Sequence, residues 1–163
     1  QYFLVTAHRQ GNVDDLNNLK SILKSLDEIS NIYNVKIVFP AHPRTMLRIR
    51  EFNLKKPDSI LFISPPGYFD FLKLEMQARL VLTDSGGVQE ECCILNVPCV
   101  TLRENTERPE TLHIGSNILT GASYRRIIKG VELMLNKELA WVHPYGDGNT
   151  SKQIHQILER QLE

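Results

Sequence analysis

Leu80-Val81-Leu82-Thr83-Asp84-Ser85-Gly86-Gly87-Val88-Gln89-Glu90-Glu91-Cys92-Cys93-Ile94-Leu95 decides how this chain folds. Leu80–Thr83 is short and apolar throughout, the pattern of a strand buried on both faces. Gly86 and Gly87 allow a tight turn, and Val88–Leu95 then takes up helical spacing. An apolar strand that runs through a glycine turn into a helix is the repeating unit of a parallel sheet covered by helices.

The same unit recurs outward in both directions. Tyr2–Thr6, Val35–Pro40, Ile60–Ile63, Cys99–Leu102 and Asn117–Leu119 read as further strands, most of them too apolar to be half-exposed. Between them, Asp14–Ile29 carries Leu16, Leu19, Leu23, Leu26 and Ile29 on one helical face. Asp14 and Asp15 suit the positive end of that helix. Helices are also predicted over Tyr68–Gln77, Arg126–Leu135 and Lys152–Leu162, with a weaker one at Met46–Arg50. The pattern predicts one α/β domain over residues 1–163, a doubly wound, Rossmann-like parallel sheet with right-handed crossovers.

Composition narrows the function. Nineteen Lys and Arg offset nineteen Asp and Glu, so the local excess of one sign that nucleic acid or an anionic membrane demands is missing. No apolar run nears the roughly 20 residues that span a bilayer, and the opening residues do not form a signal peptide. Cys92, Cys93 and Cys99 fit neither a zinc site nor a disulfide framework, which predicts a reducing, cytoplasmic setting and no metal. The chain starts without Met and almost at once enters a strand, so it is expected to be a piece of a longer polypeptide.

In a sheet of order 3-2-1-4-5-6 the ligand crevice opens where strands one and four lie side by side. The loops there are Ala7-His8-Arg9-Gln10-Gly11-Asn12 and Asp84-Ser85-Gly86-Gly87. The second can hold phosphate on first-turn amides and the Ser85 hydroxyl, or it is only a turn with a Ser cap. It is not the dinucleotide fingerprint, which belongs after strand one, so no nicotinamide cofactor is expected. Glu90 or Glu91 could accept hydrogen bonds from ribose hydroxyls, or merely face the helix dipole; spacing does not separate the two. His8 and Arg9 can both hydrogen-bond a diphosphate. In Arg103-Glu104-Asn105-Thr106-Glu107-Arg108-Pro109-Glu110, Arg103 or Arg108 could reach an anion, since guanidinium binds phosphate bidentately; the alternative is a solvated loop. His42 precedes Pro43 and could serve only a turn. His113, His143 and His155 lack metal-ligand spacing. Tyr68, Phe69 and Phe71 are expected in the core, with one of them a possible stacking platform for a base.

TAHRQGNVDDL, VFPAHPRT, PPGYFDFLKL, LTDSGGVQEECCILNVPCVTLRENTERPE and GSNILTG together resemble the C-terminal domain of non-hydrolysing UDP-N-acetylglucosamine 2-epimerases, along essentially the whole chain. DSGGVQEE and RENTERPE are the most specific parts. Hydrolysing relatives usually carry His-Pro where this sequence has His8-Arg9. The resemblance implies the C-terminal half of a glycosyltransferase-B-like enzyme, with the active site between two Rossmann-like domains. It implies that Ser85, Gly86 and Gly87 hold the diphosphate, Glu91 the ribose, and Arg108 a phosphate. Uracil would lie against Phe71, its polar edge read by backbone near Pro66. His8 would act at the phosphates beside the reacting sugar, while Arg9 and His42 match positions that bind a second, activating UDP-N-acetylglucosamine. The implied reaction interconverts UDP-N-acetylglucosamine and UDP-N-acetylmannosamine by eliminating UDP and adding it back, with carboxylates from an N-terminal domain moving the C2 proton. The 163 residues alone are then expected to bind UDP weakly and catalyse nothing, and the parent is expected to be a homodimer. The helix at 151–162 is expected to dock on that N-terminal domain, and in its absence to be exposed, frayed or packed on a neighbour through Ile154, Ile157, Leu158 and Leu162. The competing readings are a UDP-sugar glycosyltransferase, which generally lacks TERPE, and a non-catalytic UDP-sugar-binding module.

Overall fold

Strands apolar on both sides need cover on both sides, and the chain supplies it by alternating strand and helix. The computed structural model describes residues 1–162, the side chain of Leu162 excepted. In chain order the elements are β1 (Tyr2–Thr6), α1 (Gln10–Val13), α2 (Leu16–Tyr33), β2 (Lys36–Pro40), α3 (Pro43–Glu51), β3 (Ile60–Ile63) and α4 (Tyr68–Gln77). There follow β4 (Leu80–Thr83), α5 (Gly86–Ile94), β5 (Cys99–Thr101), α6 (Pro109–His113), β6 (Asn117–Leu119), α7 (Tyr124–Leu135) and α8 (Thr150–Leu162). The sheet is parallel throughout, in the order β3-β2-β1-β4-β5-β6, so the expected reversal between β1 and β4 is present.

Alternation along β1 splits the core in two. Phe3 and Val5 pack with Leu19, Leu26, Ile37, Phe39, Leu82 and Ile127 on one face. Leu4 packs with Val81, Val88, Cys92 and Cys99 on the other. Each fully buried side chain of this size contributes about 1.5–3 kcal/mol. The three cysteines are free and buried. Gly130 lets α7 lie close to the sheet: a Cβ there would meet Thr120 Cγ2 at 2.6 Å.

The long first helix starts later than its apolar stripe predicts. Asp15 is its N-cap and accepts from the Asn18 N–H at 2.9 Å. Asp14 instead pairs with Arg44 and Arg48 of α3, which hold its carboxyl below the usual carboxylate range. The short helices α1 and α6 were not predicted, because four or five residues are too few to show a helical period.

Tyr68 and Phe69 are not core residues. They are 60% and 78% exposed. The inward face of α4 carries Phe71, Leu74 and the buried Glu75, while Phe69 shares the outer face with Met76, seven residues on. Through its described side chains α8 is exposed, including Ile154, Ile157 and Leu158; the expectation for the Leu162 side chain lies outside the described residues. Among the described residues no helix is long and apolar enough to cross a membrane, and no cluster of three His, Cys, Asp or Glu could hold a metal ion.

Candidate functional site

Register brings β1 and β4 to an end together, with Thr6 opposite Thr83 and their hydroxyls 2.6 Å apart. The next residue on β4 is Asp84, whose side chain is wholly buried. A buried carboxylate needs donors, and the loop after β1 provides them. Asp84 accepts from the main-chain N–H of His8 at 2.9 Å, that of Arg9 at 2.9 Å, and Asn12 Nδ2 at 3.0 Å. Its Oδ1 also lies 3.3 Å from His8 Nδ1. A proton on Nδ1 faces the carboxylate in this arrangement, which leaves Nε2 as the nitrogen available to a ligand.

α5 begins beside this loop. Ser85 is its N-cap residue but makes no side-chain capping bond, so its hydroxyl and the first amides of the helix are not spent on one another. Gln89, wholly buried one turn on, donates to the Ser85 carbonyl at 3.0 Å and accepts from Thr106 Oγ1 at 2.5 Å and Asn117 Nδ2 at 3.1 Å. The loop after β5 is thereby tied to α5. Arg108 consequently hangs over the helix start: a Cβ on Gly86 would lie 4.0 Å from its Cζ. Its Nε forms an ion pair with Glu90. Arg103 is engaged within its own loop by Glu107 at 2.7 Å and holds that carboxyl down to about 2.

A concavity of about 220 Å³ lies on the other side of the helix start. His8, His42, Pro66, Phe71, Ser85 and Val88 line it, a mixed polar and apolar wall. The His8 and His42 rings are 6.1 Å apart. His42 is also the N-cap of α3, its Nδ1 accepting from the Arg44 N–H at 3.1 Å. A larger concavity, about 900 Å³, opens between Arg9, Asn18, Arg103 and Tyr124. It shares neither the glycine turn nor His8, so the smaller concavity is the better candidate for the chemistry. Arg9 and His42, paired in the sequence reading, thus face different hollows.

Glu91 points away from Arg108 toward α4, where Glu75 and Tyr68 face it. Glu75 is wholly buried, and neither of its carboxylate oxygens has a hydrogen-bond partner of good geometry. Burial, and then the neighbouring Glu91 carboxylate, push the Glu75 carboxyl up to about 8. The structure therefore separates two acids that spacing alone left equivalent: Glu90 serves Arg108, and Glu91 faces Glu75 and Tyr68 of α4.

The model of the UDP-N-acetylglucosamine 2-epimerase family matches residues 1–159. The chain belongs to that family. It is 53% identical over 161 residues to the UDP-N-acetylglucosamine 2-epimerase of Methanocaldococcus jannaschii, covering 96% of this chain and 44% of that protein. With the enzyme of the same name from Methanococcus maripaludis it shares 50% identity over 162 residues, 97% of this chain and 44% of that one. The crystal structure of the M. jannaschii UDP-GlcNAc 2-epimerase in complex with UDP-GlcNAc and UDP superposes with a TM-score of 0.90 at 52% identity, over 98% of this chain and 45% of that one. The chain thus spans less than half the length of these relatives, and its Rossmann-like sheet is shared with glycosyltransferase-B-like family members.

Within the family fold, the structure gathers His8, Pro66, Phe71 and Ser85 around one hollow; Gly86 and Gly87 open the adjoining helix, while Arg108 pairs with Glu90 on its other side and Glu91 faces α4. Asp84, Asn12 and Gln89 organise these residues and were not singled out from sequence. Their signal was present: a carboxylate, an amide and a second amide at the ends of apolar elements, where burial forces polar groups to find partners.

Proposed function

We propose that this chain is the UDP-binding half of a non-hydrolysing epimerase that interconverts UDP-N-acetylglucosamine and UDP-N-acetylmannosamine. The observation that carries the reading is the hollow at the β1–β4 switch point, where His8, Phe71 and Ser85 converge on an uncapped helix start. A nucleoside diphosphate fits that combination: amides of Gly86 and Gly87 and the Ser85 hydroxyl for the diphosphate, Glu91 for the ribose, Phe71 and backbone near Pro66 for the uracil. Arg108 reaches the phosphates by leaving Glu90.

Eliminating UDP from C1 and C2 of the sugar leaves negative charge on the departing diphosphate. Helix-start amides and His8 Nε2 are fixed donors that stabilise that charge without reorganising, and Arg108 joins them on leaving Glu90. Elimination and re-addition are redox-neutral, so the reaction calls for no redox cofactor. Carboxylates on an N-terminal domain of the parent supply C2 proton transfer, and α8 docks on that domain; the parent acts in the cytoplasm as a homodimer. Arg9 and His42 line different concavities, so an activating UDP-N-acetylglucosamine that uses both spans the two. The TERPE segment, wired to α5 through Gln89, favours an epimerase over a glycosyltransferase.

Calorimetric titration of the chain with UDP tests this. Saturable binding, with Kd near millimolar (about −4 kcal/mol), weakened by both Glu91→Ala and Arg108→Ala, is expected, together with no epimerisation by the chain alone. Binding that neither substitution weakens overturns the reading.

A further inference from the structure

Glu75 is a wholly buried acid on a helix whose other acidic residue, Asp70, is exposed. α4 packs on α5 and β1, and among the described residues the groups that bear on Glu75 include no cation. They are Glu91 and the Cys92 thiol from α5, with Tyr68 on α4 itself; Tyr2 of β1 spends its hydroxyl on the Leu74 carbonyl at 2.7 Å. Among the described residues neither Glu75 nor Glu91 takes part in a salt bridge. Two carboxylates side by side without a cation cannot both be ionised at little cost. Burial settles which one holds a proton: it is Glu75, wholly buried, whereas Glu91 is partly exposed.

We propose that Glu75 is the positioning residue for Glu91, a buried carboxylic acid whose O–H donates to the Glu91 carboxylate and fixes it for the two hydroxyls of a ribose. The inference rests on the assignment of Glu91 to the ribose. A glutamate on a surface helix turn has several rotamers, and ordering one costs entropy at the moment of binding. A donor beneath it removes much of that cost beforehand. Glu75 thereby becomes a determinant of ribose over deoxyribose, although it touches no ligand. Losing the Glu75 proton replaces the hydrogen bond with repulsion, so the discrimination fades with rising pH.

The test is titration with UDP and with 2′-deoxy-UDP near about pH 7 and about pH 9. The proteins are wild type, Glu75→Gln, Glu75→Met and Glu91→Ala. Ionisations of the nucleotide are common to both ligands and cancel in the ratio. Wild type is expected to prefer UDP by about tenfold near neutrality, of the order one charged hydrogen bond provides, and to lose several-fold of that preference at the higher pH. Glu75→Gln keeps the donor and holds its preference at both values; Glu75→Met packs without a donor and loses it at both. Wild-type preference in Glu75→Met, or a wild-type ratio indifferent to pH, overturns the proposal. Loss of preference in Glu91→Ala but not in Glu75→Met sinks only the positioning role. Full preference in Glu91→Ala sinks the ribose assignment and this inference together. If UDP does not saturate the chain, the carboxyl-carbon NMR titration of Glu75 decides: a midpoint in the ordinary glutamate range overturns the proposal, and one above neutrality supports it.

Discussion

Asp84 holds His8 by the backbone before it meets the ring: its carboxylate accepts the His8 N–H at 2.9 Å and lies 3.3 Å from Nδ1. The residues are 76 apart in sequence and become neighbours only because β4 is laid beside β1. Replacing Asp84 by Ala would leave the His8 and Arg9 amides and Asn12 Nδ2 without this acceptor. Asp84→Ala is therefore expected to lose roughly 2–4 kcal/mol of stability, read by urea denaturation, and to weaken UDP binding in protein that remains folded.

Glu90 occupies the guanidinium that a diphosphate would use. Removing its charge while keeping its shape frees Arg108 without creating a hole. Glu90→Gln is expected to tighten UDP by a few-fold, of the order a half-exposed ion pair commands (about 0.2–1 kcal/mol), in calorimetry at low salt. Weaker binding would show instead that Glu90 orients Arg108 for the ligand.

Gln89 ties the Thr106–Arg108 segment to α5. Gln89→Leu leaves the Thr106 hydroxyl without its acceptor and removes one of the two acceptors of Asn117 Nδ2, which keeps Thr111 Oγ1, and is expected to cost about 1–3 kcal/mol of stability. Its effect on UDP affinity should overlap that of Arg108→Ala. A double-mutant cycle in which the two effects simply add would show that the tether does not position Arg108.

Glu75 and Asp14 shift stability with pH in opposite senses. The Glu75 carboxyl, raised to about 8 from the ordinary glutamate value of 4.5, binds a proton in the native chain that the unfolded chain releases earlier. Its contribution to stability falls as pH rises between those values and levels off above, by at most about 1.4 kcal/mol per pH unit. Asp14, lowered by Arg44 and Arg48, adds stability above its unfolded pKa that disappears as pH falls through its folded one. Thermal denaturation across pH is expected to show Glu75→Gln gaining on wild type from about pH 5 to about pH 8. A constant difference would show that Glu75 is ionised throughout.

Gly130 is a packing glycine inside a helix, where propensity alone would favour alanine by about 1 kcal/mol. With Thr120 Cγ2 at 2.6 Å from the added carbon, Gly130→Ala is expected to destabilise by about 1–3 kcal/mol instead, measured by the urea midpoint.

The sheet order and the switch-point crevice were legible because they rest on runs of apolar residues, which burial on two faces imposes. The glycine turn, His8 and the family motifs followed from them. Asp84 and Gln89 were not singled out, since their partners come from other loops and strands, as far away as 76 residues for Asp84. Nor was Glu75: an acid in an amphipathic helix ordinarily marks the solvent face, and only the packing of α4 on α5 reverses that. Tyr68 and Phe69 misled for the opposite reason, being apolar residues that the fold turns outward.

The strands shorten toward one margin of the sheet: β5 and β6 have three residues each, and β6 stands at the edge. An edge that short offers an incoming strand only one or two main-chain bonds, too few to template stacking of one molecule on another. That margin is therefore guarded against self-association by brevity rather than by charge.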